Sequence, residues 1–322
     1  MEMTRTKRYL IQTAIFVVLF GVLLTLATMF DLEISHMLAK PYLADGAFYS
    51  TNPIGLIVEY IGSFPIFALG VFACLIFMHH IYHLGDKRKY LAIIFVVLIY
   101  GLLFYFFSET FKYFVRNNFH PDLEDTYRDA PLAVGCIAGL ALLVGTGSIY
   151  FYRKVDVEKN KKLLRFAFVI LIAALGYFIA TVIKSPIGRM RYRAMNMIND
   201  FDHYYTPWFE VSTVKTLKEL EELKEIYPDA FKSFPSGHTY SAGVSYVLIC
   251  LPYVCDKLNN KKGKLICYLI PILYTGLVAF YRIRVGAHFF SDVLVGGTLA
   301  FIFTEIGRYF LFEKRVFSKN KN

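Results

Sequence analysis

Apolar runs of about twenty residues, the length a helix needs to cross the hydrocarbon core of a bilayer, recur along this 322-residue chain between short charged or turn-rich breaks. Eight runs stand out: Tyr9 to Phe30, Leu56 to Met78, Tyr90 to Phe107, Pro131 to Tyr152, Leu163 to Ile183, Ser236 to Cys255, Leu265 to Tyr281 and His288 to Phe312. They predict an all-α fold, a polytopic transmembrane helix bundle of about eight spans. The first four spans fall in residues 1–162 and the last four in 163–322, the second group carrying an outer segment, 184–235. Inside that segment Leu217, Leu220, Leu223 and Ile226 recur at spacings of three among lysines and glutamates. This spacing predicts one short amphipathic outer helix over 213–227.

Charge along the chain orients the spans. Arg5, Lys7 and Arg8 precede the first one, which is longer than a signal-peptide core and lacks a small-x-small cleavage pattern, so it is expected to stay as an anchor. Four further clusters lie on the same side as the N-terminus: Lys87, Arg88 and Lys89; Arg153, Lys154, Lys159, Lys161 and Lys162; Lys257, Lys261, Lys262 and Lys264; and Lys314, Arg315, Lys319 and Lys321. The positive-inside rule assigns that side, with both termini, to the cytoplasm of a multi-pass cell-membrane protein. Segments 31–55, 108–130, 184–235 and 282–287 then face the extracytoplasmic side.

Composition agrees with membrane residence: 56% of residues are hydrophobic, 17% aromatic, and the mean hydropathy is +0.46. The formal net charge of +10 sits in clusters between apolar runs and makes no continuous stripe, which speaks against nucleic acid as a partner. Cys74, Cys136, Cys250 and Cys267 lie inside apolar runs and Cys255 at the end of one. No CxxC pair or Cys/His spacing suggests a metal site or a disulfide framework, and no cofactor is expected. Nothing in the sequence specifies an oligomeric state.

Three fragments on the outer side depart from the apolar pattern, each at a span end: Lys184-SPIGRM-Arg191, Pro235-Ser236-Gly237-His238, and Arg282-IRVGA-His288-FFS-Asp292. Three fixed cations, Lys184, Arg191 and Arg282, suit the spread negative charge of a phosphoryl group in transfer, and the arginine fork can hold two phosphate oxygens at once. Ser236 follows a proline and opens an apolar helix, so it reads as an N-cap beside an anion site. Gly237 lets backbone approach a phosphate closely. His288 and Asp292 are four residues apart, on one face of a helix, so the carboxylate can hold one imidazole N–H and leave the other nitrogen free to attack phosphorus. His238 can then give a proton to the departing alkoxide. Taken singly, each has a plain explanation: an interfacial histidine is usually solvated, a lone Lys or Arg snorkels to headgroups, and Ser-Gly is a helix cap. Their joint occurrence in order on one face is what points to a shared phosphate site.

At these residues the sequence resembles the type 2 phosphatidic acid phosphatase superfamily, whose signature is Lys-x6-Arg-Pro, then Pro-Ser-Gly-His, then Ser-Arg-x5-His-x3-Asp. The resemblance spans Lys184 to Asp292 and implies that His288 is the nucleophile, Asp292 its orienting partner and His238 the general acid. It also implies that Lys184, Arg191, Ser236, Gly237 and Arg282 bind phosphate. Tyr192 stands where the family has proline and Tyr281 where it often has serine, which implies altered substrate fit. Six spans are more usual for its membrane members, so two spans here are extra, with no task assigned. The function implied is metal-independent hydrolysis of a membrane lipid phosphate, a phosphomonoester or diphosphate, through a phosphohistidine on the extracytoplasmic face. Phosphatidate, phosphatidylglycerol phosphate, a polyprenyl diphosphate and a phosphorylated glycolipid all present a suitable phosphate.

Three alternatives stand beside it. A lipid phosphotransferase uses the same phosphohistidine with an acceptor alcohol in place of water. Vanadate-dependent haloperoxidases share the pocket but are soluble. A non-catalytic anion transporter needs its cations near the bilayer midplane between broken helices. For the 213–227 helix, either the apolar stripe packs on the bundle, or it rests on the bilayer and guides a lipid headgroup.

Overall fold

The computed structural model describes residues 5–118 and 124–313. Thirteen α-helices are found among these residues, and no strand: α1 (Arg5–Ala39), α2 (Pro53–Ile61), α3 (Phe64–His83), α4 (Ala92–Asn118), α5 (Glu124–Asp129), α6 (Pro131–Tyr152), α7 (Val157–Val182), α8 (Lys184–Ile187), α9 (Tyr192–Ile198), α10 (Glu221–Ile226), α11 (Gly237–Gly243), α12 (Lys261–Arg284) and α13 (Phe290–Arg308). Among the described residues seven stretches are long and apolar enough to cross a bilayer: Thr13–Tyr42, Pro53–His83, Arg88–Val115, Pro131–Tyr152, Val157–Ile198, Lys261–Arg284 and Phe290–Glu313. The chain is an all-α, multi-pass membrane protein. The C-terminal basic cluster, Lys314 to Lys321, lies outside the described residues, as do residues 119–123 of the outer segment 108–130.

One expected span takes another form. Over Ser236 to Cys255, α11 stops at Gly243 and a 3-10 helix continues from Val244 to Tyr253. A 3-10 helix rises about 2 Å per residue against 1.5 Å in an α-helix, so the two pieces reach about 30 Å, the depth of the hydrocarbon core, with fewer residues. The first span also differs: α1 runs past Phe30, where the backbone leaves helical geometry (φ −130°, ψ 18°), and carries Asp31 and Ser35 before it ends at Ala39.

The structure divides into two compact units, each assembled from separated stretches of chain. One comprises Met1–Asn52, Ile183–Ser236 and Arg282–Val295. Its core gathers Leu43, Phe48, Met190, Tyr192, Met195 and Phe289. Loops are tied down by the Asn196 side-chain amide, which donates to the carbonyls of Ala44 (2.8 Å) and Ala47 (2.9 Å), and by the ring of Phe48 stacked on Tyr227 with centroids 3.8 Å apart. The segment expected to form one amphipathic helix over 213–227 is built from two 3-10 turns, Val214–Thr216 and Lys218–Leu220, followed by α10. Leu220 and Leu223 are buried in this unit's core, with Leu217 packed against it, while Ile226 is exposed. The stripe therefore packs into protein, and Leu220 and Leu223 are not available to a bilayer surface.

The other unit comprises Pro53–Val182, Gly237–Tyr281 and Gly296–Asn322. Here α3 packs along α4 and α7, and α11 packs against α3 and α7. Small residues allow close approach: Ala167, Ala173 and Ala300 are fully buried beside Phe166, Tyr240 and Val244. Asn160 and Tyr240 bring polar atoms into this apolar core and pair them, as burial in a membrane favours. Asn160 accepts from the Tyr152 hydroxyl (2.8 Å) and donates to the Ile76 carbonyl (3.2 Å), and the Tyr240 hydroxyl donates to the Ala173 carbonyl (3.0 Å).

Candidate active site

Six of the eight residues singled out from the sequence, Lys184, Arg191, Ser236, Arg282, His288 and Asp292, fall in the first unit. The Arg-x5-His spacing is explained by the turn that ends α12. The chain reverses at Gly286, whose φ of +67° favours glycine. A Cβ added there would lie 3.1 Å from Arg193 Cβ. The N–H groups of Ala287 and His288 then both donate to the Arg282 carbonyl, each at 3.2 Å, which brings His288 back beside Arg282. Arg282, His288 and Asp292 are all essentially buried.

The Lys-x6-Arg fragment folds around them. Lys184 begins α8, and its Nζ donates to the Lys232 carbonyl at 3.3 Å. Arg191 is extended (φ −77°, ψ 149°) just before α9, and its N–H donates to the Ala230 carbonyl at 2.8 Å. That is the backbone a residue before proline adopts. With Tyr192 in the place of proline, burial of the tyrosine ring near Phe201 and Phe289 and a 2.9 Å hydrogen bond between its hydroxyl and His36 Nδ1 accompany the same geometry. The backbone N–H of Ser236 donates to the Asp292 carbonyl at 2.9 Å.

The electrostatics follow from this burial. Removal from water holds the His288 imidazole well below the ordinary histidine range; Asp292 acts in the opposite direction, and the charges of Lys184, Arg191 and Arg282 reinforce the lowering. This shift favours the neutral form of His288 beside Lys184, Arg191 and Arg282. Its Nδ1 lies 3.6 Å from Asp292 Oδ2, beyond hydrogen-bond length. The expected Asp292–imidazole hydrogen bond is thus only approached, a separation that catalytic pairs often show without substrate.

Asp292 is held by groups the sequence reading did not single out. Its Oδ1 accepts from Arg189 Nη1 at 2.7 Å, and its Oδ2 accepts from Ser233 Oγ at 2.5 Å and from the Phe289 N–H at 2.8 Å. Arg189 is completely buried and uses its whole fork: Nη1 also donates to Ser291 Oγ (2.7 Å), Nη2 to Asp31 Oδ2 (2.9 Å), and Nε to the Thr206 carbonyl (2.8 Å). Its guanidinium lies 4.2 Å from the centre of the Phe289 ring. Arg189 went unnoticed because it stands inside the spacer between the two residues that matched a pattern. Asp31 did because it follows the last apolar residue of a predicted span; an acidic side chain continuing an apolar helix was the available signal.

Gly237 and His238 belong to the second unit, at the start of α11. The His238 ring meets that of Tyr113 edge-on with centroids 5.7 Å apart, and a Cβ on Gly62 would lie 3.3 Å from its Cδ2. Tyr281 packs in this unit with Val58, Ala242 and Val278. Among the described residues no group of three or more His, Cys, Asp or Glu side chains could hold a metal ion.

A comparison with protein families matches residues 165–315 to the PAP2 superfamily. Over that stretch the chain is similar to the PAP2 superfamily. The resemblance seen in the three fragments is thereby borne out, and the PAP2 match points to phosphatase-type activity on phosphate esters. Asp31 and all of α1 to α6 lie outside the PAP2 match. No solved structure matches the chain.

Proposed function

We propose that this protein is a membrane lipid phosphate phosphatase working through a phosphohistidine on the extracytoplasmic face. The observation that carries the proposal is the buried His288 imidazole with Asp292 Oδ2 3.6 Å from its Nδ1, a ring whose pKa is lowered by burial and by the charges of Lys184, Arg191 and Arg282. The lone pair of Nε2 attacks phosphorus as the bond to the leaving alkoxide breaks. The attacked imidazole becomes a cation, which the Asp292 carboxylate stabilises, while Lys184, Arg191 and Arg282 balance the charge on the phosphoryl oxygens. Ser236 and Gly237 contribute to phosphate binding, and His238, by the family resemblance, supplies the proton that turns the alkoxide into an alcohol. Water then attacks the phosphohistidine, releasing inorganic phosphate and restoring His288.

A multi-pass membrane chain with PAP2 residues favours a lipid phosphate as substrate, and the basic clusters favour cytoplasmic termini and an extracytoplasmic site. Purified protein in detergent is expected to release phosphate from members of a panel of lipid phosphates and diphosphates in the presence of a chelator. His288→Ala is expected to lose about 10³-fold or more in turnover while still binding vanadate. Turnover by that variant within tenfold of wild type rejects His288 as the nucleophile. Phosphate appearing on an added alcohol instead of water identifies the phosphotransferase.

A further inference from the structure

We propose that Asp31, on the first membrane helix, acts through Arg189 as a positioning residue that aligns Asp292 behind the nucleophile His288. The inference rests on the phosphohistidine reading and extends it to a part of the chain that the PAP2 match does not cover.

The geometry is a closed relay of fixed partners. Arg189 places one terminal nitrogen on each carboxylate, Nη1 on Asp292 at 2.7 Å and Nη2 on Asp31 at 2.9 Å, and all three side chains are fully shielded from solvent. Planarity of the guanidinium fixes the two carboxylates relative to each other, which lysine could not do. Ser291 closes a second link, its N–H donating to Asp31 Oδ1 at 2.8 Å and its hydroxyl to Asp31 Oδ2, while accepting from Arg189 Nη1. Every one of these contacts to Asp31 is a donor meeting a carboxylate oxygen, the pattern of an ionised acid. Asp31 is brought to this point by the break in α1 at Phe30 and by Ser35 Oγ, which donates to the Asp31 carbonyl at 2.9 Å.

Charge gives the relay its purpose. A single Arg189–Asp292 pair would be neutral and would leave little negative charge for an imidazole becoming cationic. With Asp31 sharing the guanidinium, the three-residue cluster carries a net −1. The charged groups acting on His288 are then Asp292 on one side and Lys184, Arg191 and Arg282 on the other. A buried ion pair of this kind is a poor device for stability alone, and an ionisable residue on a membrane helix usually serves a site.

Asp31→Asn and Arg189→Lys should be purified in detergent and compared with wild type on a short-chain phosphate ester, with vanadate titration counting intact sites. For Asp31→Asn the expected result is a kcat per intact site lower by about 10–100-fold, as for outer-shell changes in general. KM should stay within about threefold, and the acid limb of the rate profile should move to lower pH, since loss of a negative charge makes His288 harder to protonate. Arg189→Lys should lose turnover similarly. Wild-type turnover per site with an unmoved acid limb, or a loss confined to the number of vanadate-binding sites, overturns the proposal. If Asp31→Asn yields no intact sites, Arg189→Lys decides, and wild-type turnover per site in that variant overturns it. A wild-type protein that hydrolyses no phosphate ester overturns the underlying reading and the proposal together, whereas an active wild type beside unaffected variants overturns only the relay.

Discussion

At the scale of single residues the site is a problem in holding one imidazole neutral. Burial and the charges of Lys184, Arg191 and Arg282 lower the proton affinity of His288, and in the proposed mechanism the neutral ring is the attacking form. The acid limb of kcat/KM should therefore lie below about pH 6.5, the ordinary histidine value; a profile measured from pH 4.5 to 8 checks this, and a limb at or above 6.5 removes the basis for a pre-formed nucleophile. The sign for stability follows from the same shift. Below about pH 6.5 the unfolded chain takes up a proton that the folded chain resists, so stability falls as pH falls. Lys184, Arg191, Arg282, His288 and Asp292 stood out in the sequence by their spacings, and the structure puts all five in one unit, the Arg282-to-His288 interval being the length of the reversal at Gly286. Arg189, Ser233 and Ser291 did not stand out, because their roles arise only when three distant stretches meet around one carboxylate.

At the scale of elements, apolar periodicity identified the long helices and missed how two of them are built. It placed α6 at Pro131–Tyr152 as found, because its ends are marked by a proline and a basic turn. It could not foresee that Ser236 to Cys255 would change from α to 3-10 at Val244, since hydropathy carries no information on rise per residue. The leucine stripe near α10 was legible as amphipathic, but the partner of its apolar side was not. With Leu220 and Leu223 in the core, changing Leu223 to Ala should cost about 2–5 kcal/mol, the usual penalty for truncating a buried leucine. A thermal melt in detergent should show this loss, and activity on a short soluble ester should fall along with that on a long-chain lipid phosphate. Impaired use of the lipid alone, with an unchanged melt, would restore the guide role for the stripe.

At the scale of the whole molecule, topology is the property most open to direct measurement. On a background with Cys136 and Cys255 replaced, a cysteine at the exposed position Asp202 should react with a membrane-impermeant thiol reagent in intact cells, and one at the exposed Asn259 should not. Labelling of Asn259→Cys alone reverses the orientation. The long apolar helices were within reach of sequence because the bilayer imposes a length rule on each of them, and the charge rule makes sidedness an expectation for this labelling to test. The composition of the unit that holds His288 and Asp292 was not within reach, since it is drawn from Met1–Asn52, Ile183–Ser236 and Arg282–Val295. The kink that delivers Asp31 also sets a problem of timing for the cell. Arg189 follows Asp31 by 158 residues, about 8 to 30 s of synthesis at typical elongation rates, and Asp292 comes 103 residues later still. For that interval the first helix carries an acid whose partners Arg189 and Ser291 have yet to be made. Completion of the ion cluster is therefore a late event of synthesis, and a chain stopped before residue 189 carries Asp31 without the guanidinium that meets it.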